Sequence, residues 1–400
     1  MTVSLDSRTR RDHDVRDLDV AAFFDDELPV LGRERSQLAL AGARELAVEP
    51  CTFGTPVGAW TLSLDADAVR VEPGDTGVAH IELATDEVSR LVDDRITPMT
   101  LVAAGNVRAT RGDLGDFLDW WVVLRALIDN RAVHTAGSIE FVACDGEPLD
   151  LQRSFTPADP DDDLAHFLSQ AGFLHLRGWF AEEAMDAISR DIDAALPHYA
   201  PDDGRSWWAR TADGTHRAVR LQGFEEHSDT AAALLASDAL ARIGALTGDS
   251  HVATGTVEAL EKPIGVAEGI SDLPWHKDCS LGMHSYTCSG LTIGISVTGA
   301  DATSGQLAVV PGSHRALVQP AFHRREWGLP PRALPTATGD VTVHCSCTLH
   351  MSHAPTARER RVLYTSFRLP PLDATLVDHQ VALRAVREQA YKLVDQPAPR

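Results

Sequence analysis

The chain has 400 residues, 44% of them apolar, with a formal net charge of −22 at pH 7; this composition fits a folded globular protein with room for two cores and argues against extended disorder. The acidity argues against a surface that grips phosphates of nucleic acid or anionic membrane, and no run reaches the roughly 18 apolar residues of a membrane span. The opening stretch MTVSLDSRTRRDHDVRD is charged, without the apolar core of a leader, so a cytoplasmic protein is expected, and its expected partner is a small-molecule substrate, either apolar or carrier-linked, or a smaller polar metabolite. Cys51, Cys144, Cys279, Cys288, Cys345 and Cys347 lack Cys-x-x-Cys spacing, which predicts reduced thiols rather than a disulfide framework or a zinc site.

In chain order, residues 1–34 read as an N-terminal extension, and ELPVLGRERSQLALAGARELAVE carries helical spacing. Alternating segments such as GAWTLSLDADAVRVEPGDTGVAHIEL predict a meander of strands. Thr85 with Val88, Leu91 and Val92 predicts a capped amphipathic helix, NVRATRGD a strand ending in a turn, and LGDFLDWWVVLRALI a strongly apolar helix. The wording ITPMTLVAAGNVRATRGDLGDFL resembles the sterol carrier protein type two fold, which implies a smaller α+β domain over residues 35–145 enclosing an apolar tunnel. The plainer expectation is that Trp120, Trp121, Leu124 and Leu127 fill a core.

The stretch GEPLDLQRSFTPADPDDD mixes Pro, Asp and Ser without apolar periodicity, so residues 146–162 read as an exposed linker and 163–372 as a second domain. Helix, short strand and helix follow in DLAHFLSQAGFLHLRGWFAEEAMDAISRDIDAAL. From about residue 250 the period changes to two: GLTIGISV, GQLAVVP, GDVTVHC and RRVLYTSF are short strands between turns, predicting an antiparallel sandwich or barrel. Residues 373–400 read as a C-terminal helix and tail.

Within this β block, PWHKD places His276 and Asp278 two residues apart, a spacing that on a strand points both side chains to one face. A ferrous site with two imidazoles and one carboxylate needs a further His, and GDVTVHCSCTLHMSH offers His344, His350 and His353. Strand parity sets His344 and His350 on one face and His353 on the other, leaving the first two open. The co-substrate 2-oxoglutarate has a distal carboxylate that suits a planar guanidinium. SHAPTARE reads as a turn that returns Arg361 toward His350 rather than His344, which favours His350. His314 in PGSH is expected to serve a turn, and Cys345 and Cys347 to be small barrel residues.

With AGFLHLRGWF, PWHKD, SGQLAVVPGSH, GDV and LHMS in that order, followed by Arg361, the chain resembles the phytanoyl-CoA dioxygenase family of Fe(II)/2-oxoglutarate oxygenases over about residues 163–372. The resemblance implies a double-stranded β-helix (jelly roll) using Fe(II), 2-oxoglutarate and O2. It implies His276, Asp278 and His350 as iron ligands and Arg361 as the 2-oxoglutarate anchor, with Ser352 and Arg220 as further co-substrate contacts. Gly294 stands where the acyl-CoA branch often has Trp, and Glu258 at a position that can be apolar, which turns the expectation away from acyl-CoA. Because related halogenases carry Gly or Ala at the position of Asp278, the implied reaction is hydroxylation of an unactivated C–H bond with decarboxylation of 2-oxoglutarate to succinate, in a setting such as secondary metabolism. Desaturation, epoxidation or cyclisation would use the same ligands. The contrasting classes are an inactive lipid-binding or carrier protein and a zinc hydrolase.

Overall fold

The structure is a computed structural model that describes residues 18–368 apart from 95, 202, 249–250, 270 and 282–289. Residues 1–17 of the expected extension and the expected helix and tail at 373–400 lie outside the described residues. The fold is α+β, and among the described residues its strands form three sheets.

The N-terminal sheet contains β1 (Cys51–Thr55), β2 (Gly58–Leu64), β3 (Val69–Pro73), β4 (Ala79–Glu82) and β5 (Arg108–Arg111), in the order β3-β2-β1-β4-β5. Only part of this is the expected meander: β2 and β3 form a hairpin, but β4 crosses back to lie parallel to β1. Alternation sets which face of a strand is buried and leaves its neighbour undetermined. The helix Leu114–Asp129 starts where Asp113 accepts from the backbone N–H groups of Gly115 and Asp116, and stops at Asn130, whose φ of 54° ends the helical path. Its Phe117, Trp120, Trp121, Leu124 and Leu127 are buried with Phe24 and Phe53 in one core. The aromatic run therefore packs as core, with Trp120 Nε1 donating to the Glu49 carbonyl at 2.7 Å.

The second part begins with the helix Asp161–Ala171, β6 (Phe173–Leu176) and the helix Glu182–Ala195. It continues through β7 (Ser206–Thr211), β8 (His216–Leu221), β9 (Val252–Ala253), β10 (Glu258–Lys262), β11 (Val266–Glu268) and β12 (Leu273–His276). Then come β13 (Leu291–Ser296), β14 (Leu307–Val309), β15 (Arg332–Leu334), β16 (Val341–Cys345), β17 (His350–Ser352) and β18 (Arg360–Arg368). A nine-stranded sheet runs β11-β7-β8-β10-β18-β13-β16-β6, with β9 added on β18, and a four-stranded sheet runs β12-β17-β14-β15. A second core, from Phe155 to Phe367, draws on both sheets. No helix among the described residues is long and apolar enough to cross a membrane.

The stretch 146–162, expected as an exposed linker, is fastened down. Phe155 is fully buried edge-on to Phe167, 5.2 Å between centroids, with the Arg153 guanidinium 4.4 Å over its ring. Arg332 donates to the carbonyls of Leu151 and Gln152. One aromatic in a polar stretch is enough to anchor it, which composition averaged over the stretch conceals. Phe155→Ala is expected to cost roughly 3–5 kcal/mol, read as a lowered midpoint in thermal or urea unfolding.

The two parts touch. Val133 bridges Leu317, His134 Nε2 donates to the Trp327 carbonyl at 2.9 Å, and Arg324 pairs with Asp119. The helix Pro98–Ala104 of the N-terminal part lies against the turn Asp278–Leu281, next to the residues described below.

Candidate metal centre

His276 and His350 are directly opposite each other on β12 and β17, and their rings lie 4.1 Å apart. Register shifts between Leu273 and His276, an irregularity of the kind that re-aims a side chain. The expectation of one strand carrying both His276 and Asp278 needs correction: β12 ends at His276, and Asp278 opens the short helical turn Asp278–Leu281. One carboxylate oxygen, Oδ1, lies 3.6 Å from Nε2 of His276 and 3.6 Å from Nε2 of His350. The three ligand atoms fall within 4.8 Å of one another, a span one metal ion can bridge.

The surroundings orient these atoms for a cation. Nδ1 of His276 faces the Pro274 carbonyl at 2.7 Å and Nδ1 of His350 faces the Thr348 carbonyl at 2.9 Å. A carbonyl only accepts, so both Nδ1 atoms carry the proton and both Nε2 lone pairs point at the centre. Thr292 Oγ1 donates to the outer oxygen of Asp278, Oδ2, at 2.7 Å. Burial raises the Asp278 carboxyl, but His350, His276 and His344 outweigh it and hold the group well below the usual carboxylate range. Burial, with His344 and His276 nearby, keeps His350 well below the ordinary imidazole range. An ionised carboxylate and a neutral imidazole are the forms that bind a metal, so the residues fit an iron or similar divalent ion.

His344, left open by strand parity, stands beside this cluster. It is 1% exposed, its ring is 4.1 Å from that of His350, and its Nε2 is 3.4 Å from Asp278 Oδ2. Its Nδ1 has no hydrogen-bond partner, and its Nε2 turns to Asp278 at ion-pair distance. β16 belongs to the large sheet and β17 to the small one, so the chain crosses between sheets from Cys345 to His350 and both imidazoles still face inward. His344→Ala is expected to lower Fe(II) affinity roughly 10–100-fold, measured by chelator competition. Unchanged affinity would leave Thr292 alone as the support of Asp278.

Arg361 is not where the hairpin argument put it. β18 pairs with β10 and β13 in the large sheet rather than returning beside β17. Arg361 points outward, donating to the Ser189 carbonyl and pairing with Asp193 and Glu261. Its neighbour Arg360 points inward with Val362 and Tyr364, and these line a small pocket shared with Gly294, Ser296 and Thr342. Arg360 is 6% exposed, its Nε has no partner, and one terminal nitrogen is 3.5 Å from Ser352 Oγ. Ser352 donates to the Gly305 carbonyl at 2.8 Å. Gly305 has φ +71°, and a Cβ there would fall 2.1 Å from the His353 carbonyl oxygen, so only glycine permits this approach.

Arg220 is half-buried, stacked on Trp207 at 4.1 Å and paired with Glu258, so its charge is already met. His314 accepts no metal role: its Nε2 faces the Ser169 carbonyl at 2.9 Å, as expected of a turn residue. Sequence reasoning missed Arg360, and also Lys262, whose Nζ lies 2.6 Å from Ser352 Oγ. No local pattern names Lys262, because Arg360 and Ser352, the residues it meets, lie on later strands.

No curated protein matches the chain. Among solved structures, AviO1 from Streptomyces viridochromogenes Tue57 is similar at 20% identity over 52% of this chain and 93% of that one, TM-score 0.42. The non-heme alpha ketoglutarate dependent epimerase SnoN from nogalamycin biosynthesis is similar at 21% identity, over 54% of this chain and 86% of that one, TM-score 0.43. The carbocyclase SnoK from the same biosynthesis is similar at 18% identity, over 56% and 91%, TM-score 0.40. Residues 168–362, the segment that holds His276, Asp278, His350 and Arg360, match the model of the phytanoyl-CoA dioxygenase (PhyH) family.

Proposed function

We propose that the chain is an Fe(II)/2-oxoglutarate-dependent enzyme of the oxygenase type, and that it hydroxylates an unactivated C–H bond of a small metabolite. Two imidazole Nε2 atoms and one carboxylate oxygen gathered within 4.8 Å carry this reading, and the family match over residues 168–362 supports it. The two facing sheets are read as a double-stranded β-helix, and the separate cores support a smaller domain ahead of an oxygenase domain at 163–372, the first core taking in Val20, Phe23, Phe24 and Leu28 from the stretch expected as an extension as well as residues of 35–145.

Iron bound by His276, Asp278 and His350 supplies O2 activation coupled to conversion of 2-oxoglutarate to succinate and CO2. The protein's own groups do the positioning. The Pro274 and Thr348 carbonyls fix the imidazole tautomers, and Thr292 steadies the outer oxygen of Asp278. Arg360, rather than Arg361, offers a fork of donors to the distal carboxylate, with Ser352 beside it. Gly294 permits the close approach of Thr342 and Tyr364, since a Cβ at 294 would sit 2.9 Å from Thr342 Oγ1 and 3.0 Å from the Tyr364 ring. Glu258 lies directly opposite Tyr364 and pairs with Arg220, a polar wall that suits a small polar metabolite over an acyl-CoA.

Succinate formation from 2-oxoglutarate with iron, with and without O2, tests the reading. Succinate appearing only with O2, and a metabolite in an extract gaining one heavy oxygen from labelled O2, is the expected result. Activity independent of O2 would favour a hydrolase, and inertness of the folded protein supplied with Fe(II), 2-oxoglutarate and O2 a carrier.

A further inference from the structure

The strands β10 and β18 pair antiparallel, with Glu261 opposite Arg361 and Lys262 opposite Arg360. On the outer face the pair is complementary, and Arg361 and Glu261 form an ion pair. On the inner face two cations stand side by side. Like charges directly opposite on neighbouring strands destabilise a sheet, and burial makes the cost larger. Lys262 is 8% and Arg360 6% exposed, and among the described residues neither lies in an ion pair. Lys262 Nζ instead donates to Ser352 Oγ at 2.6 Å, to the His353 carbonyl at 2.7 Å and, at 3.3 Å, to the Ser352 carbonyl, while Arg360 approaches the same Oγ at 3.5 Å. Two of the three lysines of this arginine-rich chain, Lys262 and Lys277, are buried in the β domain. An arrangement that keeps two buried positive charges converging on one hydroxyl, two residues along β17 from His350, is stabilised by an anion between them.

We propose that Lys262 is a second cationic positioning residue of the co-substrate subsite, so that the distal carboxylate of 2-oxoglutarate lies against Arg360 and Lys262 with Ser352 bridging the two. The assignment rests on the Fe(II)/2-oxoglutarate reading above and extends it to the selectivity and pH response of co-substrate binding. A 2-oxo acid that lacks the distal carboxylate gains nothing from either cation. Burial, with Arg360 on β18 adjacent and only exposed Asp272 ahead of β12 opposing them, brings the Lys262 ammonium down to about 7. The ligand-free subsite therefore sheds a proton as pH rises through neutrality, and the incoming carboxylate restores it.

The test uses the full chain loaded with Fe(II) under nitrogen and titrated with 2-oxoglutarate or with 2-oxopentanoate, which shares the chelating head and lacks the distal carboxylate. Calorimetry between pH 6.5 and 8.5 in buffers of different ionisation enthalpy reads affinity and proton uptake together. Lys262→Met is expected to weaken 2-oxoglutarate roughly 10–100-fold and to leave 2-oxopentanoate unchanged. Lys262→Arg, which keeps the charge, is expected to retain 2-oxoglutarate affinity and to lose both the proton uptake and the decline of affinity with rising pH. Equal weakening of both ligands in Lys262→Met, or a Lys262→Arg protein whose pH response matches the wild type, overturns the proposal while the oxygenase reading stands. Failure of the wild-type protein to bind 2-oxoglutarate at all overturns both.

Discussion

His350→Ala is expected to lose Fe(II) binding and O2-dependent succinate formation together. His350 is the buried member of the cluster, its ring is packed between those of His276 and His344, and its tautomer is fixed by the Thr348 carbonyl. Removing it leaves one imidazole and one carboxylate oxygen, so the drop in affinity should exceed the roughly 10–100-fold cost of losing an outer-shell partner. Equilibrium dialysis with Fe(II) under nitrogen measures it. Retention of stoichiometric iron would transfer the ligand role to His344, whose Nε2 is already 3.4 Å from Asp278 Oδ2.

The tandem arginines give the second large effect, because adjacent residues on one strand face opposite ways. Arg360→Met removes the guanidinium on the inner face of the sheet and is expected to weaken 2-oxoglutarate by about 3 kcal/mol, roughly 10²-fold, with little change in unfolding midpoint. Arg361→Met should leave co-substrate affinity alone and lower stability by about 3 kcal/mol, since Glu261, 7% exposed, loses the nearer of its two cations and keeps Arg217 at 3.8 Å. Burial already raises the Glu261 carboxyl against the pull of Arg361 and Arg217. A pair of measurements on the two variants, co-substrate affinity and urea unfolding, separates these outcomes, and loss of affinity in Arg361→Met would restore the anchor to that residue.

The candidate cluster of His276, Asp278 and His350 was legible because each lies in a short motif whose chemistry is local: an imidazole and a carboxylate two residues apart, and a Leu-His-x-Ser on a later strand. The anchor was not, because its position depends on how many residues the chain spends between β17 and β18. SHAPTARE reads as a hairpin turn, but β17 and β18 belong to different sheets, so the connection is a crossing and the inward face falls on Arg360. The same limit explains β4: alternation in GVAHIEL predicts a strand, and only the buried β1 at the centre of the sheet decides that β4 lies parallel to it. The cap expected at Thr85 is not one: the helix Thr85–Val92 takes Thr85 as its first helical residue, with Ala84 before it. Phe155 and Lys262 show the reverse of the short motifs. Each is a single residue whose meaning comes from partners far along the chain, Phe167 and Arg360, which no local pattern names.

Anaerobic titration of the full chain with Fe(II), followed by 2-oxoglutarate, tests the metal centre most directly. One iron per chain and a weak visible charge-transfer band that appears only when 2-oxoglutarate is added, and that is absent from His350→Ala, is the predicted result. Iron bound to the folded protein with no such band, or 2-oxoglutarate bound equally well without iron, would contradict it.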